Sequence, residues 1–569
     1  MPPKTEYYLP ELTLPDLLDR AILNHPELFI GYSDKNSNIT IQTYKELLDE
    51  AKRIAAGLFH LGLKQGDKII IATRYKRETV EMLWGAFLLG LVPTVLQPPA
   101  SFSGDNPSLA KLLNVFVLLD EPYIFMSPEV KDTCAPLEKK IKHRDDLIVN
   151  GAYPEPHLSP DDLAFIQFSS GSTGDPKGVM LSHRNMMVNM DAIRVGTDSH
   201  YPDHWGGNWM PLFHDMGLIG WHITPIYCMV FQSQIETLDF IMNPGIWLNI
   251  MSRQKVTIAG ATNFGLALTL KYLKRGKQVF DWDFSGMKVL MNGAEPISVK
   301  VMQEFVEAIK PYKFRPEIMM PVYGMSESTL AISFTSIWDQ AVSTAFNASL
   351  LDREHKAQPV DSADPSARLL SEVGVALNDI EIRITDDQDR VVKEGVSGHI
   401  QLKGPSITKG YYNNPAATAS SFCGEWFRTG DIGFFFQDRL YISGRFKDII
   451  FKNGIHYFAN DLEELASTLE EIKYGKVCLG GTTHRETGEE TVIAFIAGLP
   501  EEKATETFRE LRTLMRSNLG ISIDVLVLIK SNEIPKTSSG KLQRYKLMQR
   551  YLTGDFDDRI LRPDKRDFL

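Results

Sequence analysis

The sequence predicts an α/β protein: a large N-terminal body of βα sheets with a β-rich subdomain, followed by a small C-terminal α/β lobe. Three observations predict it. Apolar helical patterns alternate with short β-branched runs along the chain, the pattern of α/β architecture. After about residue 375 the texture changes to period-two alternation, with Ile380, Ile382 and Ile384 followed by the run 399–402. The 569 residues also exceed the roughly 250–300 at which a single core stops growing, so at least two domains are expected. The boundary is placed in the glycine-bearing stretch 444–454, giving units 1–445 and 446–569.

The first clear helix starts at Thr43. Thr43 and Glu46 have the spacing of a capping box, and Tyr44, Leu47, Leu48, Ala51, Ile54, Ala55, Leu58 and Leu61 follow at helical period. Gly62 closes it as a C-cap. The run KIIIAT from Lys68 reads as a fully buried strand, and the helix around 78–89 completes a βα unit. Similar strands are expected at 163–168, 255–260 and 287–293, each ending in small polar or glycine residues. Open α/β sheets bind ligands at such carboxyl ends. Strands at 477–479, 491–497 and 524–529 with a helix at about 505–518 suffice for a separate small lobe.

Composition narrows the function. With 43% hydrophobic and 23% charged residues the chain can form a packed core, and no repeat or low-complexity block appears. A net charge of −11 supplies no global field for a phosphate backbone, so nucleic acid is not expected as a partner and any anion must be held by a local site. Cys134, Cys228, Cys423 and Cys478 form no C-x-x-C pair, which fits buried apolar thiols in a reducing compartment. The first twenty residues carry acids and prolines where a secretory signal needs a basic start and an apolar run. The apolar segment 82–96 is interrupted by Gly85, Gly90 and Pro93 and falls short of the ~20 residues of a membrane helix. A cytoplasmic protein without a transmembrane segment is expected.

The most informative segment is SSGSTGDPKG, residues 169–178, directly after a predicted strand. Ser169, Ser170, Gly171, Ser172, Thr173 and Gly174 supply close-approach amides and hydroxyls, and Lys177 a cation, as a polyphosphate requires. It is not a Walker loop, because Asp175 and Pro176 separate Gly174 from Lys177. This run resembles the phosphate loop of the adenylate-forming superfamily. Further resemblances follow in family order: PLFHDMGLIG (211–220), NGAEPI (292–297), VYGMSESTL (322–330), WFRTGDIG (426–433), GRFKDII (444–450) and PKTSSGKLQR (535–544). The HDMGLIG run, NGAEP, the QPPAS segment (97–101) and SRQKVTIAGATNF are most similar to fatty acyl-AMP ligases.

The resemblance implies an ATP-dependent acid ligase with ATP and Mg²⁺ as cofactors. A carboxylate attacking the α-phosphate brings two anions together, so cations are required around the phosphoryl oxygens. Glu327 resembles the magnesium-anchoring carboxylate, Tyr323 would stack on adenine beside Gly324 and Met325, and Ser326 would donate to the α-phosphate. Asn292, Gly293, Ala294 and Glu295 resemble the segment lining the base. Asp431 has the ribose-binding place, assisted by Arg445; read alone, it is equally a turn aspartate paired with Arg428. His214 and Asp215 precede the apolar run where the acid enters, and Met216, Leu218, Ile219, Trp221, Ile223 and Phe264 would line an acyl pocket, though such residues equally form core. Lys541 matches the lysine that swings in to bridge carboxylate and α-phosphate. Lys447 matches the hinge about which the small lobe rotates.

The acceptor of the acyl group is a phosphopantetheine thiol, on coenzyme A or on an acyl carrier protein. In fatty acyl-AMP ligases extra sequence packed on the small lobe hinders use of free coenzyme A, and the segment 339–374 lies where such sequence occurs. The chain ends soon after the Lys541 loop, so a carrier is expected in trans. A fatty acid passed to a carrier protein is therefore expected, with an acyl-CoA synthetase or an amino-acid-activating domain as alternatives.

Overall fold

The computed structural model describes residues 11–102, 106–130, 133–134, 137–169, 176–200, 202–275, 280–337, 339–452, 455–473, 475–483, 490–536 and 542–562. A nine-stranded sheet dominates the large body. Six of its strands run parallel in the order Met319–Gly324, Val289–Asn292, Ile258–Ala261, Trp205–Asn208, Phe231–Ile235 and Phe29–Ser33. Strands covered on both faces read as continuous apolar runs, and Ile258–Ala261 and Val289–Asn292 are buried along their whole length.

The predicted capping box forms at Thr43. Its hydroxyl accepts from the Glu46 N–H at 3.1 Å, and the Glu46 carboxylate accepts from the Thr43 N–H at 2.8 Å. The helix Tyr44–His60 follows, and Gly62 behind it adopts φ +86°. Lys68–Ala72 lies inside a second, four-stranded parallel sheet with Val92–Val95, Tyr123–Met126 and Ile141–His143. The segment 82–96 divides into the helix Lys76–Leu88 and the strand Val92–Val95. Among the described residues no helix is long and apolar enough to cross a membrane.

Leu163–Ser169 does not join the open sheet. It pairs antiparallel with Lys177–Ser182, Ser169 opposite Lys177, so the Ser/Gly loop is the connection of a hairpin. The residues after the loop, KGVMLS, form a second half-buried strand that the chain lays back on the first.

The alternation after residue 375 becomes an antiparallel five-stranded sheet, with Glu381–Thr385 on Gly398–Lys403, and Trp426–Phe436 paired to Arg439–Arg445. Beyond it the small lobe holds the sheet Val477–Thr483, Glu490–Ala497, Val525–Ile529 and Ile560–Leu561 with the helices Ala459–Ala466, Glu501–Leu519 and Arg544–Leu552. The four cysteines are free. Cys228 and Cys478 are buried, and burial pushes the Cys228 thiol up to about 12; Cys134 and Cys423, expected buried, are only half-buried.

Candidate active site

Four motifs meet because four parallel strands end side by side. Trp205–Asn208, Ile258–Ala261, Val289–Asn292 and Met319–Gly324 occupy adjacent places in one sheet, and their carboxyl ends lead to His214, Phe264, Ala294 and Glu327. This edge is where open α/β sheets bind ligands. A cavity of about 770 Å³ opens there, and residues 447–450, 479–481 and 542–545 form part of its wall.

One polar cluster on the wall is built around Asp215, itself 8% exposed. Ser326 Oγ donates to its Oδ2 at 2.5 Å, while His214 Nδ1 at 2.7 Å and the Met216 N–H at 2.7 Å meet Oδ1. Both carboxylate oxygens are thus already engaged. The backbone can place His214 and Asp215 so because Gly217 approaches the Pro211 carbonyl: a Cβ on Gly217 would stand 2.1 Å from that oxygen.

A second cluster centres on Asp431. The Tyr323 hydroxyl donates to its Oδ2 at 2.6 Å, and Arg445 Nε lies 3.0 Å from its Oδ1, opposite it in the strand pair. Burial and the adjacent Asp431 charge hold the Tyr323 hydroxyl well above its usual range, so it stays a donor. Asp431 holds Arg445 firmly charged. Arg428, the alternative partner, is 2.5 Å from Asp389 instead.

The third cluster joins the loop hairpin to Glu327. Lys177 Nζ sits 4.8 Å from the centre of the Tyr411 ring, and the Tyr411 hydroxyl donates to Glu327 Oε1 at 2.9 Å. Burial raises the Glu327 carboxyl above its usual range, so a cation placed against it would be bound favourably. Mg²⁺ uses one or two carboxylates and completes its shell with phosphate and water, which a single half-buried glutamate on a cavity wall fits. Among the described residues no group of three or more His, Cys, Asp or Glu is arranged as a metal cage. Lys447 also reaches the wall, its ammonium held below the usual lysine range by burial and by Lys177 and Arg445.

Gly324, Met325 and Ala294 lie on the wall as well, Ala294 at φ +64°. Asn292, Gly293 and Glu295 stand behind it. Asn292 Nδ2 donates to Asn263 Oδ1 at 3.1 Å, and a Cβ on Gly293 would lie 2.5 Å from Val322 Cγ2. Glu295 Oε2 accepts from the Phe264 N–H at 3.1 Å, a carboxylate at the start of the helix Asn263–Arg275.

Ile219 and Ile223 are corrections to the expected acyl lining. Both are fully buried in the core against the first sheets rather than on the cavity wall. Residues 216–223 form a π-helix, whose wider turn presents Met216, Gly220, Trp221 and Thr224 to the cavity and turns positions 219 and 223 away. Phe264 packs against the neighbouring core and is likewise off the wall. Leu218 is also buried in the core, whereas the expected Met216 and Trp221 do stand on the wall, whose apolar part is completed by Ile193, Ile258, Met291, Leu330 and Phe334. Ser170 to Gly174 and Lys541 lie outside the described residues, as does the side chain of Ser169.

Sequence reasoning missed Lys111, Tyr411 and Arg544. Lys111 lies in the helix Pro107–Leu118, a stretch to which no motif was assigned. Arg544 lies within the motif 535–544, and this half-buried arginine anchors the segment after Lys541: it bonds Glu463 at 2.8 and 2.6 Å and Asp448 at 3.1 Å.

A cavity of about 770 Å³ at sheet carboxyl ends, lined by carboxylate, hydroxyl, ammonium and apolar groups, suits a nucleotide together with an apolar acid. The chain belongs to the AMP-binding enzyme family, whose model matches residues 25–412, and is an ATP-dependent acid ligase of the adenylate-forming type. It is 29% identical to a putative acyl-CoA synthetase of Caulobacter vibrioides over 96% of each chain. It is 28% identical to the medium-chain-fatty-acid–[acyl-carrier-protein] ligase JamA of Moorena producens over 90% of each chain. A solved structure of the fatty acyl-adenylate ligases studied from E. coli and L. pneumophila superposes with a TM-score of 0.86 at 27% identity, covering 95% of this chain and 98% of that one.

Proposed function

We propose that this enzyme activates a fatty or other apolar carboxylic acid with ATP and passes the acyl group to the phosphopantetheine thiol of an acyl carrier protein supplied in trans. The observation that carries the reading is that one cavity brings the Tyr323–Arg445, Glu327 and Asp215 clusters together with a set of apolar side chains. Asp431 and Arg445 receive the ribose, Tyr323 and 292–295 the base, and the loop 169–174 with Lys177 the phosphates. Mg²⁺, when bound at Glu327, neutralises phosphate charge. His214 guides the acid carboxylate, and the Ser326 hydroxyl is released from Asp215 to meet the α-phosphate. The carboxylate oxygen bonds to the α-phosphorus as the bond to pyrophosphate breaks. The thiolate then attacks the acyl carbon and AMP leaves.

Units 1–445 and 446–569 move relative to one another about Lys447 in this reading. Lys447→Pro is expected to leave adenylation near normal while impairing thioester formation, because proline fixes φ at the pivot. Stopped assays of the two half-reactions check this; equal loss in both removes the hinge.

Transfer to a carrier protein is supported by the segment 339–374, which grips the small lobe. The strands Ser343–Asn347 and Ala367–Ser371 flank the helix Ala348–Glu354. From them Arg368 reaches Asp461 of the small lobe at 3.1 Å while holding Asp352 at 2.7 and 2.5 Å. Such a tie holds the small lobe against the added segment, as expected of the extra sequence in fatty acyl-AMP ligases. It is also proton-linked. Burial outweighs Arg368 and pushes Asp461 up to about 7, with Asp352, Glu463 and Glu464 adding repulsion. A carboxyl with a raised docked value favours docking when protonated, so the tie weakens as pH rises from about 4 to 7 and is level above that. Fluorescence transfer between dyes on the two lobes is expected to fall over pH 5.5–7 and to become flat in Asp461→Asn; tightening with rising pH would contradict it.

The deciding experiment incubates the enzyme with ATP, a panel of acids and either coenzyme A or phosphopantetheinylated carrier protein, and weighs the products. Acyl-carrier is expected; acyl-CoA alone would favour the synthetase reading. ATP-dependent hydroxamate formation with amino acids but not fatty acids would sink both.

A further inference from the structure

Lys111 sits within the helix Pro107–Leu118, yet its side chain reaches the cavity wall and Nζ donates to the Phe168 carbonyl at 3.2 Å. Phe168 is the penultimate residue of the strand from which the Ser/Gly loop leaves, and Lys177 opens the returning strand. The two ammonium groups therefore mark the two stems of the same loop.

Among the described residues Lys111 forms no ion pair, and burial, with no charged neighbour contributing, brings its ammonium down to about 8. A cation drawn out of water without a carboxylate is costly. A long, flexible lysine in a surface helix would turn to solvent unless the wall were designed to meet an anion. The other polar parts of the substrates already have partners. The ribose has Asp431 and Arg445, the reacting carboxylate has His214, and the α-phosphate has Ser326. The loop stems are left for the outer phosphates.

We infer that Lys111 grips the pyrophosphate end of ATP, acting with Lys177 on the leaving group as it takes up the electrons of the broken α–β phosphoanhydride bond. The inference rests on the adenylation reading proposed above. Charge accumulating on a leaving pyrophosphate is stabilised by preorganised cations in a site of reduced water access.

Lys111→Met keeps the length of the side chain and removes the charge, and Lys111→Arg keeps the charge. In acyl-adenylate pyrophosphorolysis, Lys111→Met is expected to raise the half-saturating pyrophosphate concentration about tenfold or more, with the KM of the acid and the affinity for AMP within about twofold of the parent enzyme. Lys111→Arg is expected to keep most of the parent behaviour. Unchanged pyrophosphate dependence, or equal losses for AMP, acid and pyrophosphate as a merely structural lysine would give, overturns the inference. Calorimetry of a non-hydrolysable ATP analogue against AMP reads the same preference without turnover. A fall in that ratio in Lys111→Met stands even if no acid proves to be a substrate, which separates failure of this inference from failure of the adenylation reading.

Discussion

Replacing Lys541 with alanine is expected to lower acid-dependent ATP–pyrophosphate exchange by about 10²–10³-fold, the loss that follows removal of one preorganised donor at a developing charge. The reasoning is electrostatic. The acid carboxylate and the α-phosphate repel as they approach, and a lysine bridging them lowers the barrier without adding to ground-state affinity for ATP. ATP binding should therefore change little, and acyl transfer from added acyl-adenylate should survive. The segment following Lys541 is anchored: Arg544 is held by Glu463 and Asp448, and 542–545 face the cavity. A variant with full exchange activity would remove Lys541 from the chemistry.

Asp431→Ala is expected to weaken ATP and AMP together, by roughly 10- to 10²-fold, because each hydrogen bond to a charged group contributes about 1.5–3 kcal/mol. The fold should tolerate the change. The Arg445 side chain is 53% exposed, so water replaces the lost carboxylate, and Tyr323 loses one hydrogen bond at its hydroxyl. The diagnostic reading is the preference for ATP over its 2′-deoxy analogue. That preference should collapse in the variant if Asp431 accepts from the ribose hydroxyls, and its persistence would assign the ribose to other groups.

Much of this architecture was legible from local rules. The capping box at Thr43 and Glu46, the buried run 68–72 and the alternation at 380–384 depend on neighbours a few residues away, and all three took the expected form. Lys177, His214, Tyr323, Glu327 and Arg445 were each legible from their motifs, and all five line one cavity. Ile219 and Ile223 were misplaced because the apolar run after Asp215 was read as pocket lining without a backbone path, and a π-turn decides which of its side chains share a face. The partner of Asp431 was open between two arginines until strand pairing put Arg445 opposite it and sent Arg428 to Asp389. Lys111 gave no signal, since its meaning arises from a carbonyl 57 positions away.

By itself the sequence determined the class of fold, the order of the phosphate, carboxylate and lysine motifs, and the chemistry those residue types can perform. These follow from short-range sterics, hydrogen-bonding needs and charge. Only the tertiary structure decided which groups face one another, how far each is removed from water, and which apolar side chains line a cavity rather than a core. Pairing register and desolvation are set by contacts between residues far apart in the chain, and a linear pattern carries no record of them.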